Sequence, residues 1–391
     1  MSREVVIIDA VRTPIGRFRG ALSGVRADQM AAALIQALLR RTGTPPEAVD
    51  DVILGCVTQI GEQSANIART ALLSAGLPYA VPGMTLDRKC GSGEAAIQTA
   101  AAQIAAGHAE VVIAGGAESM SRVPMGSNRA LHGEAYGPSL LDRYEMTGQG
   151  EAGERLCDRW GLSRETLDAF AFRSHQRAAA AADDRLFDAE TEPVDLAAWS
   201  DDAGANGAVT ADETIRRQTT PEKLATLEPA FRPDGRLTAG NASQIADGAA
   251  AVLLMSRETA ERQNLSPRAA IRAVATVGSD PSLMLTGPIA ASRKVLDRSG
   301  LALSDIDLFE VNEAFASVPL VWLQETGASP DRLNVNGGAI ALGHPLGATG
   351  ARIMTSMLGE LERRGARYGL QAICCNGGLG TATLIERLKP L

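Results

Sequence analysis

The sequence predicts an α/β protein built from two similar halves, and two observations carry that reading. Apolar runs with the length of buried strands (Val5 to Ala10, Asp51 to Thr58, Glu110 to Gly115) alternate with Ala-rich segments of helical length. Such alternation is the mark of an α/β core. The order of turn, small-residue helix and glycine-ended strand then occurs twice. Asp87 to Gly93, its helix and VVIAGG in the first half parallel Gly343 to Gly347, their helix and QAICCNGG in the second.

Taken in order, Val5 to Ala10 reads as a strand and Arg12-Thr13-Pro14-Ile15-Gly16 as a turn. Asp28 is placed to cap a helix over Gln29 to Thr42. Asp51 to Thr58 is the second strand, and Asn66 to Ala75 a helix stopped by Gly76 and Pro78. Val81 to Leu86 is a strand that turns at Cys90 into a helix from Glu94 to Ala106. Glu110 to Gly115 has the unbroken apolarity of a parallel-sheet strand. From about Ser119 to about Pro233 the pattern loosens, with one good helix in Leu162 to Ala182 capped by Ser163. Such an excursion is where binding residues collect. Ala246 to Ser256 returns to the core. A second series follows: strand Ala270 to Val277, helix Ile289 to Ser299, strand Ile306 to Glu310, helix Glu313 to Glu325, a Gly-rich run Asn334 to Gly350, helix Ala351 to Arg363, and strands Gly369 to Cys374 and Gly380 to Glu386. The domain reading is 1–118 with 246–267 as one half, 119–245 as an insertion, and 268–391 as the other half.

Composition narrows the function. The chain has 391 residues, 45% of them hydrophobic, and a net charge of −8, which argues against nucleic acid or an anionic membrane as partner. Any anionic ligand then needs a local basic patch. No apolar stretch reaches membrane-spanning length, the N-terminus lacks a secretory signal, and Lys389-Pro390-Leu391 is not a peroxisomal address, so a cytoplasmic location is expected. Five cysteines without regular spacing (56, 90, 157, 374 and 375) suit a reducing compartment, and four histidines show no metal-ligand spacing. His108, His132 and His175 read as surface or structural residues, and Cys56 and Cys157 as inert.

Cys90 lies where a strand becomes a helix. Unpaired N–H groups and the helix dipole favour a thiolate there, Arg88 and Lys89 add positive charge, and Gly91 and Gly93 let a carbonyl approach. By itself the segment fits a nucleophile and a buried filler thiol equally. Three other segments shift the balance: Asn312-Glu313-Ala314-Phe315, the glycine-rich run around His344, and Cys374-Cys375-Asn376-Gly377-Gly378. Two thiols and an imidazole in glycine-bordered turns suit covalent acyl transfer. Asn312 could also cap the helix after it, and Glu313 could be a first-turn charge or an orienting group.

Here the chain resembles the thiolases, the acetyl-CoA acyltransferase family. The likeness runs end to end through VRTPIG, CGSG, GGAESMS, TAGNAS, DGAAAV, NEAFA and NGGAIALGHPLGATG to the last Cys-Gly turn. It implies a five-layer αβαβα arrangement with an inserted loop domain. It also implies thiolytic cleavage of a 3-ketoacyl-CoA with CoA as co-substrate, with no metal or redox cofactor. By resemblance Cys90 is the nucleophile, His344 activates it and helps bind the thioester oxygen, Asn312 holds a water in the first oxyanion hole, and Cys374 moves the α-carbon proton. The ungapped register favours Cys374 over Cys375. The N–H groups of Cys90 and Asn376 match the second oxyanion hole. Arg216, Phe231, Ala239, Ser243 and Phe315 match the CoA groove, and Met146 the thioester end. Two departures stand out: Glu145 where short-chain biosynthetic members usually carry His, and Asn376 where Gly is usual. Other segments look most like degradative actinobacterial thiolases. The alternatives are a biosynthetic acetoacetyl-CoA thiolase and a non-catalytic acyl-CoA or sterol carrier; a decarboxylating ketosynthase would replace the second cysteine. A homodimer or homotetramer is implied by analogy.

Overall fold

The computed structural model describes residues 3–129, 132–202 and 204–389; the readings made at Met1, Ser2, Pro390 and Leu391 lie outside these. The first half contributes strands β1 (Val5–Arg12), β2 (Asp51–Gly55), β3 (Gly83–Leu86), β4 (Val111–Ser119) and β5 (Ala246–Ser256). The second contributes β6 (Ala269–Gly278), β7 (Leu308–Val311), β8 (Tyr368–Cys375) and β9 (Leu379–Arg387). They hydrogen-bond in the order β7-β8-β9-β6-β1-β5-β4-β2-β3, and the short strand Gly16–Arg17 joins β5. The seam between halves is narrow: β1 and β6 pair only at Val6 with Ala270 and Ile7 with Ala269.

Both half-sheets are mixed. β4 runs parallel to β2 but antiparallel to β5, and β8 runs parallel to β7 but antiparallel to β9. The apolar run at Glu110 to Gly115 therefore reports burial on both faces rather than a purely parallel sheet. β4, β5 and β1 are buried along their whole length.

The helices are α1 (Ala27–Thr42), α2 (Ile67–Ser74), α3 (Ser92–Ala106), α4 (Gln149–Trp160), α5 (Arg164–Asp183), α6 (Gly287–Ser299), α7 (Ser317–Thr326) and α8 (Thr349–Arg364). Helices α3 and α8 pack on each other and on strands of both halves, forming the central layer. Helices α1 and α2 cover the outer face of the first half, and α6 covers that of the second. The five-layer order αβαβα follows. The segment between β4 and β5 leaves the core and carries α4 and α5.

Small residues set how closely the central layer packs. A Cβ on Gly93 would lie 2.6 Å from the Gly347 carbonyl oxygen, and one on Gly350 would lie 2.1 Å from the Glu94 backbone nitrogen. Only glycine permits that backbone contact. It presses the start of α3, next to Cys90, against the loop that carries His344.

Several local expectations change. Helix α1 begins at Ala27 with Arg26 at its N-cap, and the Arg26 N–H donates to the Gln29 side chain at 3.1 Å. Asp28 sits in the first turn, paired with Arg26, and is not the cap. Ser163 caps α5 as expected, accepting from the Thr166 N–H, and Asn66 likewise caps α2. Helix α4 was not foreseen, because its sequence QGEAGERLCDRW opens with two glycines within five residues. The helix expected from Glu313 starts at Ser317 instead, so Asn312 caps nothing.

Candidate active site

Cys90 is buried, two residues ahead of α3, in a turn whose preceding residue Lys89 has a left-handed φ of 53°. Ser92 Oγ closes that turn by donating to the Lys89 carbonyl oxygen at 2.7 Å and accepting the Arg88 N–H at 2.8 Å. The Lys89 ammonium is tied to Asp87. Burial pushes the Cys90 thiol up to about 11, against the pull of backbone N–H groups from Asn376 and from Cys90 itself. The expectation of a resting thiolate is thereby corrected. Helix-start N–H groups do favour the anion, but desolvation outweighs them. The group needs a base.

His344, which lines a cavity together with Cys90, is the candidate. It is buried, and burial, with the Arg352 charge adding, pulls its imidazole down to about 3, so the ring is neutral. Its tautomer follows from the hydrogen bonds. Thr349 Oγ1 donates to the Pro345 carbonyl oxygen at 2.9 Å and lies 2.6 Å from His344 Nδ1, so it accepts the Nδ1–H. Nε2 then carries the lone pair, and Asn312 Nδ2 lies 3.5 Å from it. Asn312 follows β7, is anchored by its N–H to the Ala372 carbonyl oxygen at 3.0 Å, and leaves its Oδ1 buried without a partner in the protein.

Cys374 and Cys375 end β8, both fully buried, and both thiols are pushed well up by burial and by proximity to Cys90. Strand alternation sends them to opposite faces. Cys375 packs in the small apolar cluster with Cys90, Met120 and Leu346, while Cys374 packs with the second-half core. Neither forms a disulfide. Asn376 is nearly buried with φ outside the left-handed region, which falls on Gly377 (87°) and Gly378 (76°) instead. The tolerance of asparagine for unusual angles is therefore not used here. Its side chain instead accepts from Tyr136 Oη at 3.4 Å.

Two cavities meet at Cys90, Met125, Gln149 and Leu346. One, about 280 Å³, is mainly apolar and is lined by Phe231, Ser243, Leu285, Phe315 and His344. The Phe231 and Phe315 rings meet edge to face with centroids 5.5 Å apart. The other, about 320 Å³, is more polar and is lined by Thr58, Asn128, Arg129, Tyr136, Met146 and Asn376. Arg216 and Ala239 are exposed and line neither; the Arg216 N–H donates to Nδ1 of His175, a buried structural histidine. Glu145 is exposed and paired with Arg155, away from both cavities. Cys56 and Cys157 are buried, with thiols pushed up by burial. Among the described residues no cluster of His, Cys, Asp or Glu could hold a metal ion, and no helix is long and apolar enough to cross a membrane.

Two buried carboxylates, Glu118 and Glu313, hold these parts together. Glu118 accepts N–H groups from Val57, Thr58 and Gly347, each at 2.9 Å, and the Gln63 amide at 3.0 Å. It thus joins the polar cavity's wall to the His344 loop. Glu313 accepts from Ser174 Oγ at 2.7 Å, Asn334 Nδ2 at 2.9 Å and the Ile340 N–H at 3.1 Å, fixing the glycine-rich run. Of its two foreseen roles, the orienting one is realised. The motifs GGAESMS and NEAFA contained both carboxylates, but nothing local told their roles.

Residues 5–258 match the family described as "Thiolase, N-terminal domain" and residues 265–387 "Thiolase, C-terminal domain". The "Steroid 3-ketoacyl-CoA thiolase FadA6" of Mycobacterium tuberculosis is 46% identical, covering 98% of this chain and 94% of that protein. The "Beta-ketoadipyl-CoA thiolase" of Pseudomonas aeruginosa is 46% identical, covering 99% and 100%. The crystal structure of the Bacillus anthracis acetyl-CoA acetyltransferase superposes with a TM-score of 0.91 at 42% identity, covering 99% of each chain. With both family domains matched in order along nearly the whole chain, this protein belongs to the thiolase family.

Proposed function

We propose that the protein cleaves 3-ketoacyl-CoA with CoA, giving acetyl-CoA and a shortened acyl-CoA, through an acyl-Cys90 intermediate. The observation that carries this is the position of Cys90 at the junction of two cavities, one of which is also lined by the neutral imidazole of His344. His344 Nε2 takes the Cys90 proton as the sulfur adds to C3 of the substrate. The developing oxyanion on C3 is held by the N–H groups of Cys90 and Asn376, the groups that already pull on the Cys90 thiol. The C2–C3 bond then breaks, and the acetyl-CoA enolate takes its proton from Cys374. The enolate's thioester oxygen rests at His344 and a water held by Asn312, whose buried, unpartnered Oδ1 suits that role.

CoA next gives its thiol proton to Cys374 and attacks the acyl group. Cys90 leaves and recovers its proton from His344. One hard step becomes two easier ones. The pantetheine arm lies in the apolar cavity along Phe231, Ser243 and Phe315, with Ala239 and Arg216 further out toward the nucleotide, and Met146 lies near the thioester. CoA is co-substrate, and no metal or redox group takes part. The reading includes a homodimer or homotetramer in the cytoplasm and the division into halves at 1–118 with 246–267 and 268–391 around the 119–245 insertion.

The test is loss of the 3-ketoacyl enolate absorbance on mixing acetoacetyl-CoA or longer 3-ketoacyl-CoAs with CoA, joined to intact-protein mass after substrate without CoA. Turnover with an acyl adduct on Cys90 is expected. No turnover at any chain length would overturn the reading.

A further inference from the structure

We infer that the polar cavity selects a 3-ketoacyl-CoA whose acyl chain ends in a carboxylate, with Arg129, Thr58 and Tyr136 as the selecting groups. This rests on the proposed thiolytic reading and names its substrate class.

Four observations point there. First, the two cavities differ in chemistry although they share Cys90: the one with His344, Phe231 and Phe315 is apolar and suits a pantetheine arm, so the other is left for the acyl chain. Second, that other cavity carries Lys89 and Arg129 and no acidic side chain, in a protein of net charge −8. Third, of these two cations Lys89 is neutralised by Asp87, whereas among the described residues the Arg129 guanidinium meets no carboxylate. Fourth, Thr58 is 1% exposed, lines the cavity, and its Oγ1 has no hydrogen-bond partner in the protein. A buried hydroxyl left unpaired costs free energy unless a ligand satisfies it.

An unbranched hydrocarbon tail would leave the buried hydroxyl unanswered and make no use of the exposed guanidinium at the cavity's edge. A terminal carboxylate answers both, because a guanidinium fork matches two carboxylate oxygens and a hydroxyl can donate to one. Tyr136 Oη, already on Asn376 Oδ1 at 3.4 Å, adds a polar wall and couples that wall to the residue whose N–H faces Cys90. Glycine at position 376 could not make this link.

The experiment compares kcat/KM for the CoA thioester of a six-carbon 3-oxo-dicarboxylic acid with that for 3-oxohexanoyl-CoA, using the full-length protein. Sites built to bind a polar group reject the analogue that lacks it, so a preference of at least about 10-fold for the carboxylated chain is expected. Arg129→Gln is predicted to bring the ratio close to one by raising KM for the carboxylated chain, and Arg129→Lys to restore part of it. Thr58→Val is predicted to lower the ratio in the same direction. Equal or better use of the neutral chain by the unaltered protein overturns the inference. So does an Arg129→Gln variant that raises KM for CoA and for both chains alike, since the charge would then serve the CoA phosphates. Failure of both substrates and of acetoacetyl-CoA overturns the thiolytic reading itself.

Discussion

Thr349 Oγ1 sits 2.6 Å from His344 Nδ1 and 2.9 Å from the Pro345 carbonyl oxygen, so the first residue of α8 fixes which imidazole nitrogen keeps its lone pair. Removing that hydroxyl frees the ring to adopt the other tautomer, with a proton on the nitrogen that must act as base. Thr349→Val is expected to lower kcat by about 10²-fold, the lower range of a general-base contribution, with KM little changed. Thr349→Ser should recover most of it. Steady-state kinetics on acetoacetyl-CoA decide; a Val variant with normal kcat would show that the tautomer is set elsewhere.

The second prediction concerns pH. Burial raises the Cys90 thiol to about 11 and lowers His344 to about 3, so between these values the resting pair is neutral thiol and neutral imidazole. In the free enzyme the thiolate fraction rises with pH throughout that window. Alkylation of Cys90 by iodoacetamide should therefore quicken about 10-fold per pH unit from pH 7 to 9 without a plateau, because the thiolate is the reactive form. Mass spectrometry after timed quenching measures it. A plateau near pH 7 would mean an ion pair with His344 that the burial of both groups argues against.

Much of this was legible beforehand, for identifiable reasons. Strands such as Val111–Ser119 and helices such as α3 are long apolar or Ala-rich runs with glycine ends, and period and stop signals suffice for them. Cys90 and His344 sat in glycine-bordered turns and line one cavity, and Asn312 Nδ2 lies 3.5 Å from His344 Nε2. What stayed hidden was set by tertiary contact. The N–H-rich turn at Cys90 reads as thiolate-favouring only until its desolvation is known. The start of α7 was placed too early, and Glu313 spends its carboxylate on Ser174, Asn334 and Ile340, which lie 139, 21 and 27 residues away along the chain. The two cavities depend on residues between β4 and β5, where the sequence offers one clear helix and otherwise little periodic pattern.

Glu118 gives the third prediction. Its buried carboxylate accepts three backbone N–H groups, and burial raises its pKa against their pull. Glu118→Ala leaves those donors unpaired, each costing about 1–3 kcal/mol, so a loss of several kcal/mol is expected. Glu118→Gln keeps one acceptor oxygen and should lose less. Denaturant midpoints at constant slope measure the difference. If the Ala variant matched the parent within about 0.5 kcal/mol, the range of an ordinary surface change, the bridge between the Thr58 wall and the Gly347 loop would carry no weight.

The last prediction sets two effects of one methyl group against each other. Gly350 lies in the first turn of α8, and glycine within a helix costs up to about 1 kcal/mol relative to alanine, so Gly350→Ala gains on helix propensity alone. The added Cβ, however, would stand 2.1 Å from the Glu94 backbone nitrogen and 2.8 Å from its Cα. Those atoms belong to α3 and cannot swing aside as a flexible side chain would. Overpacking of this kind costs about 1–3 kcal/mol or more, so the steric effect wins and the variant should be less stable. Activity should fall further than stability does. Relief of the clash separates α3 from α8, and with them the Cys90 turn from the His344 loop, where a misplacement of about 1 Å can cost 10²-fold in rate. Chemical denaturation and kcat on the same preparation test both halves of the claim. A Gly350→Ala protein that is more stable and fully active would mean that the two central helices do not approach at backbone contact.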